Sequence, residues 1–157
     1  MYIGSQDGNF YALDAVTGAR RWAFYGSVAM SVSSAAVGED GTVYFAQYDV
    51  AGARVYALHG ATEAGKWAFA YDHTVPGYSS PAIGADGTVY TVLCVQRGPF
   101  PSWSLLFALD GASGEEKWMV NLNGYAASSP AVGSDGTVYI GSDHSPPSPA
   151  ATRAPTR

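Results

Sequence analysis

The stretch YALDAVTGARRW, ending at Trp22, returns as YALHGATEAGKW ending at Trp67 and as FALDGASGEEKW ending at Trp118. A second cassette alternates with it: SSAAVGEDGTVY ending at Tyr44, SSPAIGADGTVY at Tyr90 and SSPAVGSDGTVY at Tyr139. The tryptophans are spaced by 45 and 51 residues and the tyrosines by 46 and 49. A repeat of this length is one supersecondary unit, and it matches a four-stranded propeller blade. The periodicity therefore predicts an all-β chain, a partial β-propeller of four-stranded antiparallel blades with two complete blades and two partial ones.

Taken in order, the first unit opens partway through a repeat, because MYIGS at residues 1–5 matches VYIGS at 138–142. Residues 1–26 then hold three strands, Met1 to Ser5, Phe10 to Asp14 and Arg21 to Tyr25, separated by Asp-Gly and Thr-Gly turn signals. Residues 31–71 form a complete blade with strands at Val32 to Val37, Thr42 to Gln47, Ala53 to Leu58 and Lys66 to Tyr71. Residues 78–122 form another, with strands near Ser79 to Ile83, Thr88 to Val95, Leu105 to Leu109 and Glu116 to Leu122. Residues 127–142 supply two strands of a fourth. The remainder, DHSPPSPAATRAPTR at 143–157, carries four prolines and no large hydrophobe, and its composition predicts a disordered tail. A ring needs whole blades and usually at least four. This stretch is expected to be a portion of a larger propeller, or to meet its own copies edge to edge, since an open end presents unpaired backbone groups.

The recurring polar residues have structural roles that suffice. In DGTVY the Asp-Gly pair makes a tight hairpin turn before good strand formers, which accounts for Asp40, Asp86 and Asp135 without a metal ion. Asp14 and Asp110 are placed to cap the turn that follows them, while the middle copy has His59 in place of the aspartate and Glu63 where a glycine would stand. Trp22, Trp67 and Trp118 occupy equivalent positions on the outermost strand, where an indole can cover the seam with the next blade and find a partner for its N–H. With a net charge of −5 and only 13% charged residues, no basic stripe exists for nucleic acid. No apolar run approaches the roughly 20 residues that span a bilayer, and Met1 is followed at once by strand-like sequence, so neither a membrane span nor a signal peptide is predicted within these residues. The single cysteine, Cys94, rules out an internal disulfide and reads as a small buried hydrophobe. The triplet Asp143-His144-Ser145 opens the tail, where a nucleophile could not be held rigidly.

These cassettes resemble the tryptophan-docking motif of the pyrroloquinoline-quinone (PQQ) repeat family, quinoprotein-like propellers in which the pattern runs Ala-x-Asp-x-x-x-Gly to a tryptophan. Ala12, Asp14, Gly18 and Trp22 fit it, as do Ala108, Asp110, Gly114, Glu116 and Trp118, whereas the middle copy keeps Ala57 and Trp67. The resemblance implies either PQQ-dependent alcohol and glucose dehydrogenases or non-catalytic propellers such as outer-membrane assembly lipoproteins that bind partner proteins, and a periplasmic or extracytoplasmic location. The dehydrogenase site it implies uses a vicinal cysteine pair, a calcium ion and an aspartate base. None of these roles can be carried to a position of this chain, so no cofactor is expected and PQQ would belong only to a complete propeller.

Binding on a repeat array is usually built where insertions collect on one face. From the second-strand tyrosine to the third-strand aromatic there are 9 residues in the first unit, 12 in the second and 17 in the third. The longest loop presents Arg97, Phe100 and Trp103 between stiffening prolines, and the blade links on the same face add His73, Tyr78 and Tyr125. Two readings stand for this face. The aromatics fold back over the blade top, or they form a docking surface for a protein or peptide. The expected function is a non-catalytic interaction or assembly scaffold; the alternative is a piece of a PQQ-dependent dehydrogenase whose catalytic blades lie elsewhere.

Overall fold

The structure is a computed structural model that describes residues 1–26, 31–72, 74–75, 77, 79–95, 103–126 and 128–142. It contains strands and turns only among these residues. The first sheet has three antiparallel strands, β1 (Tyr2–Gly4), β2 (Asn9–Leu13) and β3 (Arg20–Tyr25). In the second, β4 (Ser31–Val32) and β5 (Ala36–Val37) both pair with β6 (Thr42–Tyr48), followed by β7 (Gly52–His59) and β8 (Gly65–Asp72). The third repeats this plan with β9 (Thr74–Val75) and β10 (Ala82–Ile83) both on β11 (Val89–Val95), then β12 (Trp103–Leu109) and β13 (Glu116–Asn121). A two-stranded sheet, β14 (Ala131–Val132) and β15 (Val138–Tyr139), ends the described part. All pairings are antiparallel.

The innermost strand of each complete blade is thus two short pieces, where the sequence reads as one. Ser33 is the cause in the second blade. Its N–H donates to the Ala46 carbonyl at 2.8 Å while its Oγ accepts the Ala46 N–H at 2.9 Å. A side chain replaces a backbone carbonyl in the ladder, and the main chain swings away before β5 resumes the pairing.

Burial follows from each strand's place in the stack. β6 and β11 are buried along their whole length and β7 and β12 nearly so, because a blade between two neighbours must be apolar on both faces. β8 alternates, with every second residue exposed. β13, whose third-blade outer face meets no further complete blade here, is exposed at all six residues.

Two apolar seams join the blades. Phe10 stacks on Phe45 with centroids 3.8 Å apart and planes 3° from parallel, and Phe24 meets Tyr56 edge-on at 5.1 Å, tying the first blade to the second. Phe69 and Tyr71 meet Phe107 at 5.3 and 5.1 Å, tying the second to the third. Each fully buried ring of this size contributes on the order of 1.5–3 kcal/mol. Val132, Val138 and Ile140 of the last sheet close over Val92 and Leu106 of the third blade.

Candidate functional site

Each seam is finished by a polar joint assembled from three parts of the repeat. Trp22 Nε1 donates to the Gly60 carbonyl at 2.9 Å, and Tyr2 OH donates to the same oxygen at 3.0 Å. At the next seam Trp67 Nε1 and Tyr44 OH reach the Gly111 carbonyl at 2.9 and 3.0 Å. The tyrosine and tryptophan of each joint come from one blade, with rings 5.8 and 5.7 Å apart; the glycine comes from the turn between the last two strands of the following blade. A Cβ on Gly111 would stand 2.2 Å from the Gly87 carbonyl, and one on Gly60 would stand 2.5 Å from that of Gly41, so only glycine lets the two turns of one blade close on each other. A second inter-blade link runs nearer the axis: Ser34 N–H donates to Ser80 Oγ at 3.1 Å and Ser80 N–H to Ser129 Oγ at 2.9 Å.

A β-bulge precedes every repeat tryptophan, with register shifts at Ala12/Leu13, Ala57/Leu58 and Ala108/Leu109. The extra residue is always a cation, Arg21, Lys66 or Lys117, and the bulge turns it toward the carboxylates of the turns. Arg21 Nη2 lies 2.6 Å from Asp14 Oδ2, Lys66 Nζ lies 2.8 Å from Asp40 Oδ2, and Lys117 Nζ lies 3.9 and 3.8 Å from Asp86 and Asp110. Lys66 also bonds the Thr42 hydroxyl. These pairs are exposed and contribute little to stability.

The aspartates are held by their own turns. Asp40, Asp86 and Asp135 each accept the N–H of the threonine two residues on at 2.9–3.0 Å and its hydroxyl at 2.7–2.9 Å. Asp14 and Asp110 each accept two backbone N–H groups of the turn that follows, at 2.9–3.0 Å. These bonds hold all five carboxyls below the usual carboxylate range, led by Lys66 for Asp40, the Thr17 N–H for Asp14, the Thr88 hydroxyl for Asp86, the Ser113 N–H for Asp110 and the Thr137 N–H for Asp135. The Tyr11 hydroxyl, 2.6 Å away, does the same for Asp7 and brings it down to about 2. In the middle copy His59 leaves the turn without a carboxylate cap, and Glu63 occupies the left-handed position at φ 59° where Gly18 and Gly114 have 72° and 78°.

A cleft of about 500 Å³ opens between the second and third blades, bordered by Glu39, Asp40, Tyr44, Asp86, Asp110 and Gly111. It lies on the face of the turns between first and second strands and between third and fourth, opposite the long loops. Its aspartates are ionised hydrogen-bond acceptors already engaged, a poor starting point for acid–base chemistry. Among the described residues no three His, Cys, Asp or Glu side chains form a metal-binding group.

On the loop face, Trp103 is partly buried, sits opposite Val95 in the β11–β12 ladder and packs on the core of the second and third blades. Tyr125 is partly buried beside Cys94. Burial raises the Cys94 thiol above its ordinary value, against hydrogen bonds from Ser104 and Tyr125. His73, Tyr78, Arg97 and Phe100 lie outside the described residues, and of the loop-face residues only Trp103 and Tyr125 are placed. The predicted disordered tail at 143–157 lies outside them as well.

Cys94 is the only cysteine, and the cleft carboxylates are tied into their turns. No helix among the described residues is long and apolar enough to cross a membrane.

No protein-family model matches the chain, and no curated protein matches it by sequence. Solved structures do. BamB from Moraxella catarrhalis is 27% identical with a TM-score of 0.62, over 90% of this chain and 39% of that one. A europium-containing methanol dehydrogenase is 21% identical with a TM-score of 0.58, over 77% of this chain and 23% of that one. The quinohemoprotein alcohol dehydrogenase ADHIIG from Pseudomonas putida is 20% identical with a TM-score of 0.57, over 77% and 19%. The fold is that of the quinoprotein-like β-propellers, and the chain spans about two-fifths of BamB and under a quarter of either dehydrogenase.

Proposed function

We propose that the chain is a portion of a larger, non-catalytic PQQ-like propeller that works as an interaction or assembly scaffold through its variable-loop face. The observation that carries this reading is how its polar groups are used. Asp40, Asp86 and Asp110 border the cleft between the second and third blades, yet each is committed to its own turn and to the bulge lysines. The likeness to BamB, over most of the chain, adds support. An extracytoplasmic location accords with the same resemblance.

The likeness to two dehydrogenases gives the competing reading, in which this portion is wall for a catalytic site elsewhere. Mixing the protein with PQQ and calcium separates the two. We expect no stoichiometric cofactor absorbance and no dye-linked alcohol oxidation, and turnover would overturn the scaffold reading. The loop face is tested by partner recovery in a pull-down with Arg97, Phe100 and Trp103 changed to alanine, each expected to lower recovery by about tenfold or more if it anchors a contact. Because Trp103 also packs on the core, Arg97→Ala is the deciding variant. Undiminished recovery with it would discredit the loop face.

A further inference from the structure

The sequence holds one Asn-Gly pair, Asn123-Gly124, in the link that leaves β13 on the loop face. In such a pair the backbone nitrogen of the glycine can attack the side-chain amide carbon of the asparagine, because no Cβ on the glycine stands in the way. The bond from that nitrogen to Cγ closes a succinimide ring and ammonia leaves. Water then opens the ring at either carbonyl, giving aspartate or, with the main chain rerouted through Cβ, isoaspartate. Water is the only co-reactant. Both reacting groups are unengaged in this fold. Asn123 is exposed, and its backbone N–H donates to Asn121 Oδ1 at 2.8 Å. Among the described residues its side-chain amide makes no hydrogen bond, and neither does the Gly124 N–H.

The same ring closure is open to aspartate before glycine, and the chain has five such pairs, Asp7-Gly8, Asp40-Gly41, Asp86-Gly87, Asp110-Gly111 and Asp135-Gly136. There the fold opposes it. An ionised carboxylate is a poor electrophile, and each of these accepts a backbone N–H of its own turn. In four of the five the attacking nitrogen is committed as well. Gly8 N–H donates to the Ser5 carbonyl, Gly41 to Gly38, Gly87 to Gly84 and Gly136 to Gly133, at 2.9–3.2 Å. Asn123-Gly124 has neither protection.

The surroundings of Asn123 give the reaction a consequence. Leu122 N–H donates to the Ser104 carbonyl and Ser104 N–H to the Gly124 carbonyl, both at 2.9 Å, and Ala126 N–H donates to Ser104 Oγ at 2.8 Å. Asn123 is the one residue between the first two anchors. An isoaspartate there adds a main-chain carbon to a span that β12 holds at fixed length, so the two bonds to Ser104 cannot both be kept. Cys94 lies beneath, wholly buried, with Sγ 3.5 Å from Ser104 Oγ and 3.7 Å from the Ala126 carbonyl. We propose that Asn123 is a site of spontaneous deamidation, through which the loop-face end of the third blade gains a negative charge and opens over Cys94 as the protein ages. The site stands on these bonds alone. Its effect on docking rests on the scaffold reading, because a carboxylate added two residues from Tyr125 changes the surface a partner meets.

The test holds the 157-residue protein in neutral buffer at body temperature and samples it by peptide mass mapping. The residue at position 123 is expected to become one mass unit heavier with time, and faster as the pH rises, because the attacking nitrogen must shed its proton. Two products of equal mass are expected, one of them methylated by an isoaspartyl methyltransferase. Asn9 and Asn121, which precede Phe10 and Leu122, are expected to stay unchanged over the same period. Asn123→Gln, which would have to close a larger ring, is expected to lose the conversion. Alkylation of Cys94 is expected to be faster in aged than in fresh wild type, as local opening of its cover requires, and equally slow in fresh and aged Asn123→Gln. An unconverted Asn123, conversion as fast at Asn121, or an aged protein whose Cys94 stays as slow to alkylate would overturn the proposal. The pull-down with Arg97→Ala uses fresh protein, so its failure sinks only the scaffold reading, and an unconverted Asn123 sinks only this inference.

Discussion

Replacing Trp22 by alanine is expected to lower the free energy of unfolding by about 3–5 kcal/mol, the usual loss for deleting a large buried aromatic. The same substitution at Trp118 is expected to cost under about 1 kcal/mol, as surface changes do. The two residues share a motif, a strand position and a bulge, so propensity and backbone geometry cancel in the comparison. What differs is the neighbour. Trp22 packs against Tyr2 and Phe10 at 5.8 and 6.3 Å and donates to Gly60, whereas among the described residues Trp118 has only Tyr90 as a ring partner. In a repeat array stability is a sum of blade and seam terms, and the Trp22 loss falls on the seam between the first and second blades. Urea unfolding of the two variants, read by circular dichroism, checks the difference.

The second large effect is expected at Gly111. Its Cβ would meet the Gly87 carbonyl at 2.2 Å, and neither partner is a flexible side-chain tip. Both are backbone, held by the Gly87 and Gly114 turn hydrogen bonds to Gly84 and Asp110. Gly111→Ala is therefore expected to destabilise by about 1–3 kcal/mol through overpacking, and also to disturb the carbonyl that Trp67 and Tyr44 share. Gly65→Ala, where a Cβ would meet nothing within 4 Å, is the control, with a change expected within about 0.5 kcal/mol. Thermal unfolding of the pair reads the contrast.

The architecture was legible because a blade is a local unit. Its turns are written in Asp-Gly and Thr-Gly pairs, its strands in Val, Tyr and Thr, and its period in the spacing of Trp and Tyr. What lies between units was less so. The sequence marked Trp22, Trp67 and Trp118 as seam residues, but not the carbonyls of Gly60 and Gly111, because a backbone acceptor leaves no side-chain signature. The tyrosine ending each DGTVY cassette passed for a strand former, although Tyr2 and Tyr44 are joint donors. The glycine one place after Asp110 and His59 was the available clue. The bulge cations were equally hidden, since Arg21, Lys66 and Lys117 are simply a basic residue before tryptophan until the register shift shows them facing the turns. The break in the innermost strand depends on one hydroxyl, that of Ser33, taking a backbone role. The cleft is a property of two blades together and has no sequence of its own. His73, Tyr78, Arg97 and Phe100 were singled out by loop length and composition, signals that say where chain accumulates and not what it touches.

The account's central claim is that the repeat indoles are inter-blade fasteners whose N–H groups end on a neighbouring blade's carbonyl. Hydrogen exchange of the tryptophan Nε1–H groups, followed by nitrogen-edited NMR, tests it directly. The account predicts slow exchange at Trp22 and Trp67 and fast exchange at Trp118. Equally fast exchange at all three would contradict it.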